Sequence, residues 1–198
     1  EGEADFHQIV ADMANIPRSQ AKTINLGLFY GMGKNKLQAE LGISKEDAED
    51  LFRTYHDKVP FVKMLMESVS RRAQEKGHVR TLLGRRCRFP LWEPNQFGIH
   101  KPLKHEEALL EHGPGIRRAF TYKALNKLIQ GSAADMTKKA MVELYKEGIT
   151  PHIQVHDELD ISVDGNADKI KEIMETAVKL EVDNKVDYES GPNWGTIK

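Results

Sequence analysis

Arg18-Ser-Gln-Ala-Lys22-Thr-Ile-Asn-Leu26-Gly27-Leu-Phe-Tyr30-Gly31 is the stretch on which the fold reading turns, and Gln154-Val-His156-Asp157-Glu158 is its counterpart near the other end. The first places a cation, a second cation and an apolar residue at steps of four. Four residues of helix turn through about 400°, so Arg18, Lys22 and Leu26 form one shallow stripe about 12 Å long. Two cations one turn apart suit successive phosphates, although for the pair alone a solvated amphipathic face is the alternative. Gly27 inside the helix costs about 1 kcal/mol against alanine. Such a glycine points to a close approach to the backbone, by a base or a neighbouring helix. In the second stretch Asp157 shares the parity of Val155, Leu159 and Ile161, so a continuous strand would bury its carboxylate. Burial without a partner is costly: either a turn exposes Asp157 or a cation neutralises it. A hard ion held by a carboxylate and substrate phosphates would be Mg²⁺; a solvated hairpin turn is the bland alternative.

Outward from these anchors, residues 16–29 are expected to be helical, with Asn15 as cap, Pro17 early, and Gly31 and Gly33 ending the run. Ser44-Lys-Glu-Asp47 resembles a capping box opening a helix through Tyr55. Pro60 begins a longer helix with Val62, Leu65, Met66 and Val69 on one stripe, stopped at Gly77. Residues 78–90 read as a hairpin or loop. Leu91 to Gly115, with Pro94, Pro102 and Pro114, reads as surface loops around a short helix. A helix near 116–129 follows, then a second one capped at Ser132-Ala-Ala-Asp135 and running to Lys146 before Gly148. Residues 152–163 read as strand–turn–strand, followed by a helix near 166–180 and a final strand near 181–188.

The 198 residues suit one domain or two lobes, and 39% hydrophobic content is enough for a core. A net charge of −1 gives no global field toward nucleic acid or membrane. The cations are uneven, however. Arg71, Arg72, Lys76, Arg80, Arg85, Arg86 and Arg88 face only Glu75 over that run, which reads as a phosphate-contacting segment or a solvated face. The single cysteine, Cys87, excludes an intrachain disulfide and fits a reducing compartment. There is no long apolar run, hence no expected membrane helix or signal peptide. A start at Glu1 rather than methionine fits a piece of a longer polypeptide.

Taken together and in order, the two anchors resemble the motif pair of family A, polymerase I-like DNA polymerases, and lean toward the phage or viral type. The helix from Arg18 to Gly31 is similar to that family's fingers helix, and Gln154–Glu158 to its palm carboxylate turn. Asp5-Phe-His7, Thr81-Leu-Leu-Gly84-Arg85-Arg86, Asn126 through Gln130-Gly131-Ser132-Ala-Ala-Asp135, and Gly191-Pro-Asn193-Trp194 resemble further family segments in register. The resemblance implies an α+β fold: a helical fingers lobe and part of a palm with an antiparallel hairpin, an incomplete right-hand polymerase. The implied division is 1–76 fingers, 77–115 a fingers-to-palm connection with a loop insertion, and 116–198 the C-terminal part of the palm.

The resemblance also implies roles. Asp157 would hold two Mg²⁺ ions with an aspartate absent from this chain, and Glu158 would stand beside them. His7, Arg18, Lys22, Leu26 and Tyr30 would bind the dNTP, and Lys22 would also donate a proton to pyrophosphate. Arg85, Arg86, Asn126, Gln130 and His156 would contact primer-template DNA. The implied activity is nucleotidyl transfer to a primer 3′-hydroxyl in the bacterial or phage-infected cytoplasm, with no membrane role and no processivity partner named. Leu26 departs from the family's phenylalanine or tyrosine and predicts discrimination against dideoxynucleotides. The second metal-binding aspartate would lie upstream of Asp5, so the isolated chain is expected not to extend primers. A single-subunit RNA polymerase and an inert DNA-binding module are the competing classes. Glu158 and the Gln130–Asp135 segment favour the DNA enzyme.

Overall fold

The computed structural model describes residues 6–14, 16–30, 32–58, 60–96 and 98–197, and the Arg18 stripe lies on a helix, α2 (Arg18–Phe29). Steps of three and four also set its inner face, where Ala21, Ile24, Asn25 and Leu28 are buried. They pack with Val10 and Ala11 of α1 (Phe6–Ala14), Leu37 of α3 (Lys34–Leu41), Tyr55 of α4 (Lys45–Lys58) and Val62 of α5 (Pro60–Lys76). Each large aliphatic residue buried there stabilises the fold by about 1.5–3 kcal/mol. Neither α1 nor α3 is foreseen by the spacing argument. Pro17 flanks α2 without a side-chain cap, whereas Asn15, Gly31 and Asp5 lie outside the described residues. Ser44 does cap α4: its Oγ accepts from the Asp47 amide at 3.0 Å and donates to Asp47 Oδ2 at 2.8 Å. On α5 the expected stripe is corrected. Leu65 is exposed, and the buried line is Val62, Val69 and Ala73.

The chain divides into two compact units, one holding the residues up to Arg80 with Arg86–Leu128, the other Thr81–Arg85 with Ile129 onward. In the first, β1 (His78–Arg80) pairs antiparallel with β2 (Arg86–Arg88). The stretch read as loops around a short helix does hold that helix, but the expected loops are in large part a small sheet. Its central strand β3 (Leu91–Pro94) lies between β4 (Leu103–Lys104) and β5 (Ile116–Arg118), and α6 (His105–His112) packs on all three. Pro94 is tolerated because it closes its strand, opposite Ile116. The helix expected at 116–129 is likewise corrected: β5 and a 3₁₀ turn, Thr121–Lys123, precede α7 (Ala124–Lys146), one continuous helix rather than two.

A clamp joins α5 to β5. Gln74 donates to the Arg118 carbonyl at 2.8 Å and accepts from its amide at 3.0 Å. Arg118 in turn donates to the carbonyls of Gln74 and Phe89, both at 3.1 Å, and stacks 4.4 Å from the Trp92 ring. Gly77 ends α5 with φ 69°, and a Cβ there would lie 2.7 Å from the Arg118 guanidinium carbon. Left-handed backbone costs a side-chain-bearing residue about 1–2 kcal/mol, and a displaced Arg118 loses its carbonyl partners as well. Gly77→Ala is therefore expected to destabilise by about 2–3 kcal/mol, seen as a lower thermal unfolding midpoint. An unchanged midpoint would refute the clamp.

In the second unit, β6 (Ile153–Val155) and β7 (Glu158–Asp160) form a hairpin, followed by α8 (Ala167–Thr176). Leu144, Ile149 and Ile170 make the core, with Leu159, Ile161, Ile173 and Met174 against it. The expected strand at 181–188 is absent. Side chains tie that segment to α8 in place of a ladder: Glu175 accepts from the Val186 amide at 3.0 Å, and Asn184 donates to the Met174 carbonyl at 3.3 Å.

Candidate active site

The core takes Ala21, Ile24, Asn25 and Leu28, and the flank of α2 that carries Arg18, Lys22 and Leu26 is left outside, all three exposed. An apolar side chain 44% exposed beside two cations is a surface that gains from a ligand with a charged end and an apolar or ring-bearing end. Tyr30 stands at the end of the helix, its amide donating to the Leu26 carbonyl at 3.0 Å. His7 is drawn to the same helix: Asn25 Nδ2 lies 3.1 Å from His7 Nδ1. With the amide NH₂ as donor, Nδ1 is the acceptor, the arrangement in which Nε2 carries the hydrogen. Tyr55 fixes Asn25 in turn, donating to its Oδ1 at 3.0 Å. Burial pushes the Tyr55 hydroxyl up to about 12, so it remains a donor. The close approach invoked for Gly27 is made by Met32, whose terminal methyl occupies the space of a Cβ. The neighbour is thus a flexible side chain in the chain's next turn.

In the second unit the turn His156-Asp157 joins β6 to β7, closed by the Val155–Glu158 pair. His156 has φ 53°, and its carbonyl accepts from Gln154 Nε2 at 3.0 Å. A positive φ at the first turn position is the hairpin geometry that usually calls for glycine. It breaks the strand parity, and of the two alternatives for Asp157 the turn exposes it; Glu158 is exposed beside it. Leu159 still reaches the core, whereas Ile153 and Val155 are 40% and 37% exposed. Two carboxylates are hard oxygen donors of the kind Mg²⁺ takes, and Mg²⁺ commonly uses one or two carboxylates with waters and phosphates. Among the described residues no cluster of three or more His, Cys, Asp or Glu is placed to hold a metal. The donor set fits such an ion as a partial site.

The remaining expected site residues fall into two groups. Asn126 and Gln130 lie on α7, half-buried and exposed respectively. Arg86 opens β2 opposite Arg80, with Arg88 opposite His78, while Val79 and Cys87 pair on the other face of the ribbon. Val79 is buried and the three arginines are exposed. Like charges directly opposite one another are unfavourable unless an anion lies over them. Arg80 and Arg88 thus join Arg86 on one cationic face, which strand alternation could have revealed. Arg85 differs. Its Nε donates to Asp135 Oδ1 at 2.7 Å and its Nη2 to the Gly131 carbonyl at 2.9 Å. Burial opposes ionisation of Asp135, but the Thr81 hydroxyl and the Arg85 guanidinium, with Lys138, outweigh it and hold that carboxyl below its ordinary value.

Residues 3–196 match the model of DNA polymerase family A. The chain is 35% identical to a DNA-directed DNA polymerase of Pseudomonas phage M6 over 227 residues, covering 96% of this chain and 31% of that protein. It is 34% identical to DNA polymerase I of Geobacillus stearothermophilus over 205 residues, covering 98% of this chain and 21% of that one. Among solved structures, the POL domain of Pol1 from M. smegmatis, in complex with DNA primer-template and dNTP, matches with a TM-score of 0.66 and 28% identity. That match covers 90% of this chain and 32% of the other. The chain therefore belongs to DNA polymerase family A, and its α+β character agrees with that membership. It spans between about a fifth and a third of the length of these curated relatives. Among the described residues no helix is long and apolar enough to cross a membrane.

Proposed function

We propose that the polypeptide carrying this chain catalyses template-directed DNA synthesis, transferring the α-phosphoryl group of a dNTP to a primer 3′-hydroxyl in the bacterial or phage-infected cytoplasm. The observation that carries this reading is the exposed Asp157 at a turn held open by His156, in a chain of this family. The α2 face is the triphosphate site. Arg18 and Lys22 bind successive phosphates one helical turn apart, His7 donates through Nε2, and Lys22 protonates the departing pyrophosphate. Tyr30 closes the nucleotide site at the end of α2. Asp157, with Glu158 beside it, holds Mg²⁺, which when bound supplies charge neutralisation at the triphosphate and a more acidic 3′-hydroxyl. Arg86, Asn126, Gln130 and His156 contact primer-template DNA. On this reading residues 1–76 are fingers, 77–115 connect fingers to palm, and 116–198 are the C-terminal palm.

The test is primer extension by the full polypeptide on a DNA template with dNTPs and Mg²⁺. Extension with dNTPs in preference to rNTPs supports the reading, and a preference for rNTPs refutes it. Leu26 supplies a second check. It has no hydroxyl to occupy the space left by a missing sugar 3′-hydroxyl, so ddNTPs are expected to be used poorly. Leu26→Tyr should raise relative ddNTP incorporation about tenfold or more, the worth of one good hydrogen bond in a water-poor site. Equal use of dNTP and ddNTP by the unaltered protein would contradict the assignment of Leu26.

A further inference from the structure

Gly131-Ser132 sits about a third of the way along the 23-residue helix α7, and a glycine-serine pair is one of the places where helices kink. The loop Thr81–Arg85 meets the helix at this point. The Leu82 amide donates to Ser132 Oγ at 2.9 Å, and Arg85 holds the Gly131 carbonyl at 2.9 Å and Asp135 Oδ1 at 2.7 Å. The loop is itself closed tightly, by Thr81 N to the Arg85 carbonyl at 2.9 Å and by Arg85 N to Thr81 Oγ1 at 3.0 Å. Asp135 is only 8% exposed, too deep to meet a phosphate backbone. Its carboxylate serves both ends of the loop, taking the Thr81 hydroxyl as well as Arg85.

We propose that Arg85 and Asp135 are a positioning pair for synthesis, in which the loop Thr81–Arg85 splints α7 beside Gln130 so that Gln130 meets the primer-template at a fixed angle. Arg85 then acts on the helix, in place of the template contact expected from its sequence, and the backbone contact passes to the exposed Arg86. This inference rests on the DNA-synthesis reading. A guanidinium bound through Nε and Nη2 presents a fixed fork that a lysine cannot copy. Ser132 serves the same splint as an acceptor within the helix, which is why it does not begin a new one.

The experiment uses the full polypeptide with Arg85→Ala, Asp135→Ala, the milder Asp135→Asn, the double Arg85→Ala/Asp135→Ala, and Arg86→Ala. Steady-state extension, primer-template Kd at several salt concentrations and the thermal midpoint are read for each. The expected result is a loss of kcat of about tenfold in Arg85→Ala and Asp135→Ala. The double variant should be no worse than Asp135→Ala alone, since each single variant already removes the Arg85–Asp135 interaction. Asp135→Asn should fall between them and the parent. The slope of log Kd against log salt should be unchanged in all four but lower by about one in Arg86→Ala. A reduced slope in Arg85→Ala with no effect of Asp135→Ala overturns the proposal in favour of a direct phosphate contact. Multiplicative losses in the double variant overturn it also, as does a lowered midpoint with kcat per folded molecule intact. If the parent polypeptide extends no primer, the DNA-synthesis reading has failed, an outcome distinct from all of these.

Discussion

Asp157→Ala in the full polypeptide is expected to reduce primer extension at least about a thousandfold, a loss of about 4 kcal/mol of transition-state stabilisation, while primer-template affinity stays close to that of the parent. Asp157 is exposed at the tip of a two-stranded hairpin and sits outside the Leu144–Ile149–Ile170 core, so the substitution removes no buried contact and the fold should survive. What is lost is a carboxylate for Mg²⁺ at the triphosphate. Asp157→Asn keeps the shape and removes the charge, and should be nearly as damaged. Retained synthesis in either variant, at a parental thermal midpoint, would return Asp157 to the status of a solvated turn residue and favour an inert DNA-binding module.

The second large effect is expected at Lys22. Lys22→Ala should lower kcat about a hundredfold, within the range of roughly 10²–10⁴ that a positioned acid supplies, and should raise the KM for dNTP severalfold. The split follows from the two tasks given to the side chain. Binding a phosphate in ground and transition state alike moves KM, whereas protonating pyrophosphate moves kcat. Lys22→Arg keeps the charge but is a far poorer acid, so it should restore KM and leave kcat low. Because Lys22 is exposed on α2 while Ala21, Ile24 and Leu28 carry the packing, stability should not change. A KM effect alone in Lys22→Ala would leave the phosphate contact standing and remove the acid role.

The α2 stripe was legible because the helical period alone assigns it: the same steps that bury Ala21, Ile24 and Leu28 put Arg18, Lys22 and Leu26 outside. Ser44 was legible because a cap is a local hydrogen bond. What escaped is set by distant parts of the chain. Gly131-Ser132 followed by Asp135 reads as a stop and a fresh cap, yet α7 runs through it, and residues 81–85, about fifty positions away, bind all three of these residues. The small sheet of β3, β4 and β5 has strands of two to four residues, too short for alternation to register, and its prolines argued against it. The segment 181–188 alternates like a strand but pairs with no strand among the described residues. At the turn, strand parity put Asp157 on the apolar side, and the left-handed His156 reversed that. One backbone angle therefore separates a buried carboxylate from an available one.

The most direct test of the account is the structure of the full polypeptide with primer-template, Mg²⁺ and a non-hydrolysable dNTP. The predicted result is one nucleotide shared by both anchors, with Lys22 Nζ about 3 Å from a triphosphate oxygen and an Asp157 oxygen about 2.1 Å from an ion bound to that same triphosphate. A nucleotide held by residues other than Lys22, or an ion held without Asp157, would contradict it.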